Sequence, residues 1–82
     1  MKVVKRDGKS QEFSFDKIAN VLHLAFTSCG SVKAPEELVD ALRRQFSQYE
    51  DSHIFTVEQL QDIVEVALMK GGHYAEAKEY IL

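Results

Sequence analysis

Cysteine occurs once in these 82 residues, at Cys29, proline once, at Pro35, and tryptophan not at all. A single cysteine excludes an intrachain disulfide and a paired-cysteine zinc site. With apolar neighbours, Cys29 is expected to be a small core hydrophobe, which fits a reducing, cytoplasmic setting. Four glycines, no low-complexity run and no internal repeat argue against wholesale disorder and against a repeat architecture. No apolar run approaches the roughly 18 residues of a membrane span, and the N-terminus lacks the apolar stretch of a signal peptide. No membrane partner is expected. Positive charge is not in excess: the net charge is -3, which argues against nucleic acid as a general partner.

Catalytic signatures are also missing. There is no Gly-x-Ser-x-Gly elbow, no Gly-x-x-x-x-Gly-Lys phosphate loop and no Gly-x-Gly-x-x-Gly fingerprint. His23, His53 and His73 fall on three different segments without metal-ligand spacing, so each is expected at a surface or helix edge and no metal site is expected. Asp62 and Glu65 share a helix one turn apart and read as a solvated acidic face.

What is present is an ordinary balance for a single domain over residues 1–82, with 45% hydrophobic and 28% charged residues. The chain is near the lower size at which one core sustains itself. Charge is unevenly spread. Residues 1–17 carry Lys2, Lys5, Arg6, Lys9 and Lys17 against Asp7, Glu12 and Asp16, which leaves +2 there and -5 on the remainder. A basic end on an acidic chain points to a confined anion site rather than a broad basic surface.

Residues 2–6 and 11–15 are β-prone runs flanking Asp7-Gly8, a hairpin signal because Gly tolerates the positive φ of a tight turn. In the second run Gln11, Phe13 and Phe15 share one face, opposite Glu12 and Ser14. Two strands alone are marginal in water, so the aromatic face is expected to lie on helices. Ser14 and Asp16 open a first helix, with Ile18, Val21, Leu22, Ala25, Phe26 and Cys29 as its apolar stripe and Gly30 as its stop. Pro35 starts a second, with Leu38, Leu42, Phe46 and Tyr49 inward, ended by the polar run 50–53. Thr56 and Gln59 form a capping box for a third, with Phe55 stapling onto Leu60 and Leu60, Ile63, Val64, Ala67 and Leu68 buried. Lys70-Gly71-Gly72 ends it. A fourth begins near His73 or Tyr74, carries Ala77, Tyr80 and Ile81 on one side, and reaches Leu82 without a stop signal, which suggests a piece of a longer protein. The expected fold is α+β and mainly α: an N-terminal β-hairpin on four helices, the last truncated.

The basic hairpin is the best candidate site. Lys5 and Arg6 leave the strand on opposite faces, and Lys17 adds a cation beside the free amides of the first helix. Cations at a helix N-terminus suit a polyphosphate, while Val3, Val4 and Ile18 offer an apolar slot for a base.

Val3-Val4-Lys5-Arg6-Asp7-Gly8, followed by Phe13 and Asp16-Lys17-Ile18, resembles the first half of the ATP-cone motif. Residues 56–65, Leu68-Met69, Tyr74, Ala77-Lys78 and Tyr80-Ile81 resemble the second half. The resemblance spans essentially the whole chain. It implies a small sheet capping a four-helix bundle, and a domain without its own catalysis that binds ATP or dATP, with Mg as a candidate companion. It further implies control of the overall activity of a ribonucleotide reductase through subunit assembly, with the catalytic domain and its subunits as partners. Val3 and Val4 are then expected by the adenine, Lys5 and Arg6 at the phosphates, Lys17 and Ile18 along the first helix, and Gln61 facing the pocket from the third. Gln11 stands where many members have Glu, and Phe13 belongs to the same strand. Two other readings are the cone of a nucleotide-sensing transcriptional repressor, for which no zinc ribbon with paired cysteines is present here, and a degenerate cone acting only as an interaction module.

Overall fold

A computed structural model describes residues 1–80. Its elements run β1 (Lys2–Val4), β2 (Ser10–Glu12), α1 (Phe15–Ser28), α2 (Glu36–Ser47), β3 (Ile54–Thr56), α3 (Val57–Lys70) and α4 (Tyr74–Glu79). The fold is α+β, as expected, but the sheet has three strands in the order β2-β1-β3. The expected hairpin is present, and a third strand extends it. It lies parallel to β1, with Val3 opposite Phe55, while β2 is antiparallel, with Val3 opposite Gln11.

The hairpin turn is wider than a two-residue connection. The Gly8 N–H donates to the Lys5 carbonyl at 2.9 Å and the Lys5 N–H to the Lys9 carbonyl at 2.8 Å, and Gly8 has φ +85°. This is a turn closed by a glycine in the left-handed region, a common three-residue hairpin loop. Asp7 Oδ1 accepts the Lys9 N–H at 2.9 Å, a local brace typical of Asp in turns. The strands are shorter than the β-prone runs: β2 stops at Glu12 and Phe15 already belongs to α1.

Alternation decides which sheet residues meet the helices. Val3 and Phe55 are 5% and 1% exposed and face inward. Lys2 and Glu12, partners across the strands, form a 3.5 Å ion pair on the outer face. Under the inner face lies an aromatic cluster in which Phe46 of α2 stands 5.7 Å from Phe55 and 5.2 Å from Phe13. Tyr49 and His53, from the polar connection after α2, close on Phe55 at 4.8 and 4.4 Å. Aromatic pairs at such separations add to the area they bury.

α1 packs on α2 and α4, and α3 on α2 and α4. Ile18, Leu22, Ala25 and Phe26 of α1 meet Leu42, Phe46, Leu60, Val64 and Leu68 in one core. The capping box of α3 is formed on both sides: Thr56 Oγ1 accepts the Gln59 N–H, and Gln59 Oε1 accepts the Thr56 N–H. At its other end Gly72 takes φ +79° and the His73 N–H reaches the Leu68 carbonyl at 2.8 Å, a Schellman-type stop.

Two expectations fail here. Cys29 is exposed, because it caps α1 beyond the last buried residue, Phe26. α4 ends at Glu79, since Tyr80 is extended with ψ 110° and its side chain turns into the core. The expected course through Ile81 to Leu82 lies outside the described residues.

Candidate nucleotide-sized cleft

The inner face of the hairpin and the starts of α1 and α3 do not close on one another. Between them lies a cleft of about 440 Å³, within the roughly 300–1,000 Å³ of small-ligand sites. Its apolar floor is Val3, Phe13, Ile18, Val57 and Leu60; its polar rim is Lys5, Arg6, Asp7, Gln11, Glu12, Ser14 and Lys17.

Each wall follows from local structure. Val3 and Lys5 are two apart and share the sheet's inner side, as do Gln11 and Phe13. Arg6 stands in the turn and reaches across to α3, where its Nε–H donates to Glu58 Oε1 at 3.0 Å. Lys17 and Ile18 come from the first turn of α1, whose start at Ser14 has no side-chain cap. A helix N-terminus with unpaired amides favours negative charge, and here it borders the cleft beside a lysine. The floor excludes water from a flat apolar group while the rim holds cations at one end. Chemically, the arrangement suits a ligand with an apolar or aromatic body and an anionic tail.

Seven of the nine residues singled out from sequence line this one cleft: Val3, Lys5, Arg6, Gln11, Phe13, Lys17 and Ile18. Val4 does not, because strand alternation turns it to the other side of the sheet. Gln61 does not either. Its Nε2 donates to Glu65 Oε1 at 2.7 Å and to the Tyr80 carbonyl, and it borders a separate depression between α3 and α4. Leu60 points into the cleft, and the next residue is turned about 100° away around the helix. Asp7, Glu12, Ser14, Val57 and Leu60 were not singled out. Ser14 was legible as the start of α1, but no local signal places Asp7, Glu12, Val57 or Leu60 at the cleft.

No group of three or more His, Cys, Asp or Glu side chains is placed to hold a metal ion among the described residues. His23 is engaged structurally, its Nδ1 accepting the Ala34 N–H at 3.0 Å. The Cys29 thiol is pushed above its ordinary pKa by partial desolvation and then by the carboxylates of Glu76 and Glu79, the opposite of an activated nucleophile. No helix of the described residues is long and apolar enough to cross a membrane.

Comparison with known proteins bears on this geometry. The ATP cone domain model matches residues 1–82. The chain is 35% identical over 95 aligned positions to ribonucleoside-diphosphate reductase subunit alpha of Chlamydia muridarum (strain MoPn / Nigg), covering all of this chain and 9% of that protein. It is 33% identical to the protein of the same name from Treponema pallidum (strain Nichols), covering all of this chain and 10% of the relative. For the Chlamydia pneumoniae subunit the values are 33%, 98% and 8%. The chain therefore spans about a tenth of the length of the curated relatives it matches.

Proposed function

The chain belongs to the ATP-cone family, and from that premise we propose that it is an allosteric domain whose cleft binds ATP or dATP and controls the overall activity of a ribonucleotide reductase. The observation that carries this reading is the cleft's division into an apolar floor and a cationic rim. Adenine lies on Val3, Ile18 and Val57, with the Gln11 amide at its edge and Phe13 behind it. Lys5, Arg6 and Lys17 hold the phosphates, where charge-assisted bonds are roughly twice as strong as neutral ones. The residues fit a nucleotide but not a protein-held metal, so Mg²⁺ would come with the phosphates. Val4 and Gln61 have no direct role in this arrangement.

The domain has no reaction of its own. In this reading the sheet caps the four helices, and the nucleotide, seated between cap and helices, is felt by both. Control requires that the nucleotide favour one assembly state of the parent reductase, in a cytoplasmic setting, over another. Such couplings are typically about 1–3 kcal/mol and reciprocal; a ligand that binds all states equally would regulate nothing.

A thermal-shift series with ATP, dATP and GTP tests the binding step. A ligand at about 100 times its Kd adds about 2.7 kcal/mol of stability, a shift easily seen in a domain of this size. The expected result is stabilisation by ATP and dATP and little by GTP. An unmoved melting point with saturating ATP and dATP would mean a cone that serves only as an interaction module.

A further inference from the structure

Arg6, in the hairpin turn, and Glu58, in the first turn of α3, lie 52 residues apart and are joined by the 3.0 Å bond from Nε to Oε1. Arg6 lines the cleft; Glu58 does not. Building on the nucleotide reading above, we propose that Glu58 is a positioning residue, which holds the Arg6 guanidinium at the cleft mouth and so raises affinity for the polyphosphate tail.

The two partners differ in how firmly they are placed. Arg6 sits in an exposed turn on a long side chain, and such a side chain loses much rotamer freedom when fixed. Glu58 is the second residue of α3, between the two members of the capping box, Thr56 and Gln59. Its backbone is therefore held, and its carboxylate suits the positive end of the helix. The rigid partner anchors the mobile one.

The chemistry of the bond allows both tasks together. A guanidinium carries five N–H donors in a planar fork, so a contact through Nε does not exhaust it. A lysine in its place would present one compact ammonium with three donors, without the planar, divided fork that faces a carboxylate and a phosphate on separate edges. The sign of the effect therefore separates positioning from simple charge. As a bare negative charge near a phosphate site, Glu58 would weaken binding, and its removal would tighten it. As an anchor for Arg6, its removal weakens binding.

The experiment is a double-mutant cycle on ATP, AMP and adenosine affinity by titration calorimetry, with Glu58→Ala, Arg6→Ala, the double variant and Arg6→Lys with and without Glu58→Ala. An exposed ion pair of this kind implies about a twofold to fivefold loss of ATP affinity in Glu58→Ala. The loss is expected to shrink for AMP and vanish for adenosine. It is expected to be absent or reversed in sign with Arg6→Ala, which leaves Glu58 a bare negative charge, and smaller than in wild type with Arg6→Lys. Glu58→Gln, which keeps an acceptor without its charge, should fall between wild type and Glu58→Ala. The inference is overturned if Glu58→Ala tightens ATP, if it weakens adenosine as much as ATP, or if its effect is the same with and without Arg6. If the wild-type chain binds no adenine nucleotide, the functional reading itself falls, and the inference with it; if wild type binds but the cycle is additive, the inference alone falls. A far-ultraviolet melt of each variant separates these outcomes from loss of folding.

Discussion

β1 has two neighbours, and they are held in different ways. β2 is tied to it by a five-residue connection closed at Gly8, exposed along most of its length and rich in charge. β3 reaches it from about 50 residues away, and its central residue, Phe55, is buried against Phe13, Phe46, Tyr49 and His53. The locally closed edge carries the groups that line the cleft. The edge assembled over long range carries the packing. Val3, Ile18 and Leu60 serve both core and cleft, but the charged rim of the cleft stands apart from the packing around Phe55, so its side chains can be used there without putting the core at risk.

Phe55→Ala should break this comparison most completely. Loss of a large buried aromatic costs about 3–5 kcal/mol, close to the whole stability of a small domain. Chemical denaturation followed by circular dichroism should find the variant largely unfolded or melting without a sharp transition. On the other edge, Lys5→Ala and Arg6→Ala should each change stability by no more than about 0.5 kcal/mol while weakening ATP by about tenfold. A cation variant that unfolds would contradict the separation.

Two smaller changes probe how each edge is fixed. Thr56→Ala removes the α3 cap and should cost about 1 kcal/mol. Gly8→Ala forces a side chain into φ +85° with nothing within 4 Å of the new Cβ, so backbone strain alone should cost about 1–2 kcal/mol. The two melts should fall together, but only Gly8→Ala should also weaken ATP, because it moves Lys5 and Arg6.

The smallest effect belongs to Tyr80, far from both edges. Its hydroxyl is buried without a hydrogen-bond partner among the described residues, and burial raises its pKa above the ordinary phenol value. A raised folded pKa means the folded state holds the proton more tightly, so this contribution is intact below about pH 10 and is lost as pH rises above it. Tyr80→Phe should be neutral or more stable by up to about 1 kcal/mol at neutral pH. It should also lose less stability than wild type in melts taken above about pH 10.

The same division explains what could be read from sequence. The hairpin was legible because Asp7-Gly8 is a local signal, and the helices because their apolar stripes and the Thr56–Gln59 box are local too. β3 was not. Its three residues follow a polar run, and Phe55 and Thr56 already had roles as staple and cap, while parallel pairing leaves no trace near either strand. Cys29 fell on the arithmetic of the α1 stripe but lies past the buried turns, where helical spacing no longer places side chains. Gln61 comes from the family resemblance alone; in the structure it donates to Glu65 and to the Tyr80 carbonyl, contacts that depend on the packing of α4 on α3 and have no local sequence signal. The cleft residues were legible where they share the hairpin. Val57 and Leu60 enter only through the tertiary approach of α3, so sequence left Leu60 an ordinary core position and gave Val57 no place in core or site.

The central claim is that the cleft between the hairpin and the starts of α1 and α3 receives an adenine nucleotide. An amide chemical-shift titration of the isotope-labelled chain with ATP tests it most directly. The account predicts saturable shifts at Val3, Lys5, Gln11, Lys17, Ile18 and Val57, with little change around Gln48–Ser52 or along the Gln61–Glu65 side of α3. Shifts confined to the α3–α4 side, or none at saturating ATP, would contradict it.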